Sequence, residues 1–139
     1  MGCGVSSEGK LFIACGEGQV DAVRLLLDNG AEVDRAMEGS WTPLLTACDK
    51  DVDMVRLLLD KGAEVDRAAE DGTTPLYAAC YNGHVDAARL LLDRGAEVDR
   101  ARKDGWTPLS IAKDQGHSAV VALLEAHRKR LPPEPRRWR

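Results

Sequence analysis

Three thiols recur along the chain at an even beat: Cys15, Cys48 and Cys80 lie 33 and 32 residues apart. A thiolate can hold a metal, pair in a disulfide or attack a carbonyl, but each role needs a partner at suitable spacing. No C-x-x-C pair is present, and no histidine falls at ligand spacing from any of the three. Cysteines at one phase of a repeating pattern are therefore read as small core residues. Unpaired thiols also fit a reducing compartment. The serines have no phased histidine and acid, and G-x-x-x-x-G-K-[ST] and H-E-x-x-H are both absent. No enzyme, cofactor or metal is expected. One chemical signal remains. Met1-Gly2-Cys3-Gly4-Val5-Ser6 fits M-G-x-x-x-[ST], which makes Gly2 a candidate myristoyl acceptor. Cys3 beside it is the candidate for palmitoylation, the second acyl chain that turns marginal anchoring into stable attachment.

The beat of the cysteines belongs to a longer pattern. Leu11, Leu44, Leu76 and Leu109 are separated by 33, 32 and 33 positions, and L-L-L-D-x-G-A-E-V-D-R-A occurs at 25–36, 57–68 and 90–101. Self-similarity at this period predicts a solenoid of stacked units. The clearest unit runs from Asp71 to Ala101. Thr74 before Pro75 suits a helix N-cap followed by the first helical position, where the missing N–H of proline costs nothing. Leu76, Ala79 and Cys80 fall at helical spacing. Gly83-His84 should break that helix, a second should follow from Val85 to Leu92, and Gly95 stands where a left-handed residue ends it. From Ala96 to Gly105 the chain carries turn residues and no helical period, as a hairpin-like finger would. Neither helix can bury its apolar stripe alone, so the units must lean on one another.

The unit resembles the ankyrin repeat. The T-P-L signal of that family is matched at Thr42-Pro43-Leu44, Thr74-Pro75-Leu76 and Thr107-Pro108-Leu109. The G-H pair is matched at Gly83-His84 and Gly116-His117, and the G-A-D-V-N stretch by G-A-E-V-D. The resemblance implies an all-α solenoid over residues 9–127, with repeats at about 9–37, 38–69, 70–102 and 103–127. It also implies structural roles for His84 and His117 and a non-enzymatic protein-binding function. The first repeat lacks T-P and resembles an N-terminal cap with a wet outer face; Lys113, in the slot of the buried cysteines, marks the fourth as a C-terminal cap.

Partners of similar proteins lie across the concave side, on finger tips and first helices. The matching finger positions are Glu38, Gly39 and Trp41, then Glu70, Asp71 and Thr73, then Lys103, Asp104 and Trp106. The helix positions are Leu45, Asp49 and Lys50; Tyr77, Tyr81 and Asn82; and Ser110. These residues differ between units while L-L-L-D-x-G-A does not, which suggests a binding face. Trp41 and Trp106 share one phase, and Tyr77 and Tyr81 lie i, i+4. Such residues are the usual anchors of interfaces. Each tryptophan either folds back over its own finger or stands free for a partner. The histidine that the family carries after T-P-L is replaced by Leu45, Tyr77 and Ser110, leaving those positions freer to meet a partner. Asp49-Lys50-Asp51 forms an inter-helix turn one residue short, which reads as a binding feature or a tolerated deletion.

Charge separates the body from its end. Through His127 there are 13 Lys and Arg against 22 Asp and Glu, a net −9, whereas residues 128–139 carry 6 against 1, a net +5. An acidic body argues against nucleic acid as a partner of the array. The tail R-K-R-L-P-P-E-P-R-R-W-R favours extended polyproline geometry. Lys129-x-x-Pro132-x-x-Pro135 fits a ligand of proline-recognising domains. The same cations with Trp138 fit an anionic membrane surface, where each contributes about 1 kcal/mol. No apolar stretch approaches the ~20 residues of a membrane-spanning helix. A cytoplasmic setting is expected, peripheral to a membrane if Gly2 is acylated, with the nucleus also open. Residues 1–8 and 128–139 are expected to lie outside the packed domain.

Overall fold

The computed structural model describes residues 7–48 and 52–130. Gly2, Cys3, Asp49, Lys50 and the proline-rich tail from Leu131 onward lie outside the described residues, as does the side chain of Glu38. The described chain forms helix pairs. They are α1 (Ser7–Gly16) with α2 (Val20–Asp28), α3 (Pro43–Cys48) with α4 (Val52–Asp60), α5 (Pro75–Asn82) with α6 (Val85–Asp93), and α7 (Pro108–Asp114) with α8 (Ser118–Arg130). Among the described residues there is no strand, only an isolated antiparallel bridge between Met37 and Trp41. No helix among them is long and apolar enough to cross a membrane.

Local chemistry sets the helix starts. Each T-P pair works as its residue types dictate: Thr42 Oγ1 accepts from Leu45 N at 3.3 Å, Thr74 Oγ1 from Tyr77 N at 3.1 Å, and Thr107 Oγ1 from Ser110 N at 3.0 Å. In the last, Ser110 Oγ also accepts from Thr107 N at 2.8 Å, completing a capping box. Gly83 ends α5 with φ +76°, and a Cβ there would lie 2.7 Å from the His117 ring. Only glycine meets both demands. That ring stays close because His117 Nε2 donates to the Tyr81 carbonyl at 3.0 Å, tying the third unit to the fourth.

Helices stack in two layers. α1, α3, α5 and α7 pack successively in one, α2, α4, α6 and α8 in the other, and each pair packs across the layers. The core runs between the layers through Leu11, Leu44 and Leu76 and then Val23, Val55, Leu58, Leu91 and Leu124. The three phased cysteines are buried in it without disulfides. Burial pushes the Cys15 and Cys80 thiols up to about 12, which leaves almost no thiolate near neutrality. In native protein at pH 8, alkylation followed by peptide mass spectrometry should find Cys15 and Cys80 unmodified, and in concentrated urea both should react. Rapid native labelling at either would place it outside the core.

Polar contacts recur at each junction. Asp28 pairs with Lys61 at 2.7 Å and Asp60 with Arg94 at 2.6 Å. The Asp34 carboxylate accepts from Glu64 N at 3.2 Å, and Asp66 accepts from Glu97 N at 3.2 Å. Burial raises the Asp34 carboxyl above its ordinary value, with the Glu64 amide opposing that rise. These aspartates join one unit to the next. Asp99, at the position of Asp34 and Asp66 in the third unit, instead meets Arg128 Nε of α8 at 3.4 Å. Lys113 is exposed and pairs with Glu125 at 3.8 Å, so the last unit presents charge outward.

The outer face of the first unit is exposed, as expected of a cap, but it is apolar. Its second helix V-D-A-V-R-L-L-L-D nearly repeats the interior ones, yet Leu25 is 62% exposed where Leu57 is 7% exposed. Ile13 of α1 is 49% exposed. The physical reason is that both positions are apolar and no helix pair among the described residues packs against that side.

Candidate functional site

The fingers are tight hairpins that hydrogen-bond across themselves and to one another. Met37 N donates to Trp41 O at 2.9 Å, Ala69 N to Thr73 O at 2.9 Å, and Arg102 N to Trp106 O at 2.8 Å. Glu70 N then donates to Gly39 O at 2.9 Å and Lys103 N to Asp71 O at 3.1 Å, which lines the fingers up edge to edge. The second and third fingers approach so closely that a Cβ on Gly72, at φ +89°, would sit 2.8 Å from Lys103 N. Short loops joined in this way make a rigid mount for side chains that need not pack.

At that mount one cation gathers its neighbours. Arg102 Nη2 lies 3.2 Å from Asp104 Oδ2 and 3.6 Å from Asp71 Oδ2. Its guanidinium lies over the Tyr77 ring, 5.1 Å from the centroid, a cation–π contact. Both carboxylates are also held by backbone: Thr73 N donates to Asp71 Oδ1 at 2.9 Å and Trp106 N to Asp104 Oδ1 at 3.2 Å. A hydrogen bond from the Thr73 hydroxyl is the main reason that the Asp71 carboxyl sits below its ordinary value, with the Thr73 amide and Arg102 lowering it further against the opposing effect of burial. Burial raises the Tyr77 phenol, and Arg102 opposes that rise. Sequence reasoning missed Arg102. Its signal was an arginine in the finger slot that holds Met37 and Ala69 in the preceding units.

Around this cluster the expected site residues divide. Tyr81 and Trp106 are 47% and 38% exposed, large aromatics left at the surface. Glu70, Asp71, Asn82, Lys103 and Asp104 are exposed as well. Asn82 Nδ2 donates back to the Ala78 carbonyl at 3.0 Å, so part of its hydrogen-bonding capacity serves its own helix. Trp41 is half-buried and packs against the core, the folded-back alternative.

Four expectations are corrected. Leu45 is fully buried, Tyr77 is only 3% exposed beneath Arg102, and Thr73 is buried at the base of its finger. Ser110 spends its hydroxyl on the cap of α7. α3 and α5 are flanked by first helices on both sides, so Leu45 and Tyr77 are buried although their position changes from unit to unit. Of the paired tyrosines only Tyr81 reaches solvent.

The arrangement offers aromatic area and paired charges on a stiff edge. Among the described residues no group of His, Cys, Asp and Glu could hold a metal ion. His84 and His117 lie at the starts of second helices, where His117 braces Tyr81. Comparison with curated proteins returns no relative. The family model for ankyrin repeats (3 copies) matches the chain at residues 6–69 and again at 67–131.

Proposed function

This chain belongs to the ankyrin repeat family, and on that premise we propose that it binds a protein partner through the edge formed by its second and third fingers and the end of α5. Ankyrin repeats are generally protein–protein interaction modules, typically without catalytic activity of their own. The observation that supports this particular edge is the exposure of Tyr81 and Trp106 beside the Arg102–Asp71–Asp104 cluster. Aromatic rings with few rotatable bonds bury large area at low entropic cost. The fixed charges give orientation more than affinity. The Arg102 cluster stiffens the mount, so little ordering is left to the moment of binding.

The test is capture from cell extract by immobilised chain, with bound proteins identified by mass spectrometry. Wild type is compared with a Tyr81→Ala/Trp106→Ala double variant and with an Asp86→Asn control on α6. A partner held by wild type and control but lost by the double variant supports the reading. Equal capture by all three removes the function from this edge.

A second reading rests on the M-G-C-G-V-S pattern, in which acyl chains on Gly2 and Cys3 hold the array at a membrane as a scaffold.

A further inference from the structure

Arg102 and Tyr77 show, within the molecule, how this fold holds a cation. The guanidinium lies over the ring at 5.1 Å, and Asp104 at 3.2 Å and Asp71 at 3.6 Å keep it there. The two kinds of group act together. The ring face attracts the charge through its quadrupole, and the carboxylates fix the directions of the N–H groups.

One turn further along α5 the same groups stand without a cation. Tyr81 follows Tyr77 at i, i+4 on that helix, and its ring is left half in solvent. Asp114, also exposed, ends α7 in the position that Tyr81 holds in α5. The two helices pack side by side, and His117, just beyond Asp114, reaches the Tyr81 carbonyl at 3.0 Å, so their ends are held next to each other. Both ends are C-terminal, where the helix dipoles add negative potential. Among the described residues no cation lies over the Tyr81 ring and none pairs with Asp114, whose carboxylate accepts from Gln115 Nε2 at 3.1 Å. The neighbouring cation on α7, Lys113, turns instead to Glu125 at 3.8 Å. Asn82 spends an amide N–H on the Ala78 carbonyl, which leaves its side-chain oxygen as an acceptor beside Tyr81.

We propose that the partner of this edge presents an arginine, seated over the Tyr81 ring with its N–H groups turned to Asp114. The proposal rests on the reading of the Tyr81–Trp106 edge as the binding surface, and it names the chemistry that the edge takes. That chemistry is a basic segment whose arginine repeats, from outside, the contact that Arg102 makes from within. Packed helices lie about 8–10 Å apart, a gap that one arginine side chain crosses from ring to carboxylate. A planar guanidinium can stack on the ring and fork to the acid at once, whereas an ammonium is a point charge, so lysine fits less well. The acidic body draws such a segment in, and Trp106 stays available for an apolar neighbour of the arginine.

The probe is the capped peptide A-P-P-R-P-P-A, whose prolines hold it extended. It is titrated into the full chain and followed by NMR at the Tyr81 ring and the Asp114 amide. Saturable shifts at both are expected, with affinity about tenfold weaker when citrulline, an uncharged near-isostere, replaces the arginine. Asp114→Asn should weaken binding about as much. Asp86→Asn, which removes the same charge on α6, should change nothing, and Tyr81→Phe should keep binding because it keeps the ring face. Equal affinity for the arginine and citrulline peptides, or no saturable shift at Tyr81 and Asp114, would overturn the proposal. If capture from extract still depends on Tyr81 and Trp106 in that event, the edge stands and the arginine alone falls. Capture independent of both residues removes the edge and the proposal with it.

Discussion

Leu58→Ala should lower the free energy of unfolding by about 3–4 kcal/mol, and Leu26→Ala by only about 1–2 kcal/mol. The two leucines hold the same place in nearly identical helices, V-D-M-V-R-L-L-L-D and V-D-A-V-R-L-L-L-D. Leu58 is fully buried in α4, which packs against both α2 and α6. Truncating it leaves a cavity walled on every side, and the walls cannot all collapse into it. Leu26 is half-buried in a helix with one packed flank, so part of its methyl surface is already in water. Helix propensity is the same in both cases, since the residue and its neighbours along the chain are alike. The difference thus isolates stacking. Urea denaturation of the two variants, fitted with a common slope, measures it directly. Equal losses would mean that the units hold their leucines locally and do not depend on one another.

The paired tyrosines should separate just as sharply. Tyr77→Ala should cost about 3 kcal/mol of stability, because it removes a buried ring and takes away the aromatic face under Arg102. The guanidinium would keep its two aspartates but lose the surface that positions it, so the second and third fingers should loosen together. Tyr81→Ala, one turn along the same helix, should change stability by less than about 1 kcal/mol. Its ring is half in solvent, and its structural contribution is the carbonyl that accepts from His117, which alanine keeps. Its effect belongs to binding, with a loss of about 10- to 100-fold in affinity if the ring is an anchor. Measured side by side, the two substitutions read framework and function from residues four positions apart.

The architecture was legible because a solenoid writes its contacts into its period. A T-P-L start, a glycine break and an L-L-L-D run recur in phase, and each recurs as the same physical element: an N-cap, a left-handed turn and a packed second helix. The site was legible only in part. Variation between units was read as freedom from packing, and for Tyr81 and Trp106 that holds. For Leu45 and Tyr77 it fails. The two residues differ in type and volume, yet Leu45 is fully buried and Tyr77 is buried beneath Arg102. Polarity is a better guide than variability: beside Tyr81 and Trp106, the exposed members of the expected face are chiefly three acids, one amide and one lysine. Arg102 stands in a slot that holds Met37 and Ala69 in other units, outside the finger positions at which the family's partners lie. A cation in an otherwise apolar slot points to carboxylates in adjoining fingers, where Asp71 and Asp104 stand. The outer face of the first unit is exposed, as a cap reading expects, although α2 keeps the apolar pattern of the interior helices.

The central claim is that the stacked helices carry folding while the exposed aromatics on the finger edge carry recognition. It is tested most directly by the dissociation constant of the Tyr81→Ala/Trp106→Ala variant for the protein that wild type captures, measured on samples whose urea midpoints agree. The account predicts affinity weaker by about 100-fold or more with folding intact. Affinity equal to wild type would contradict it.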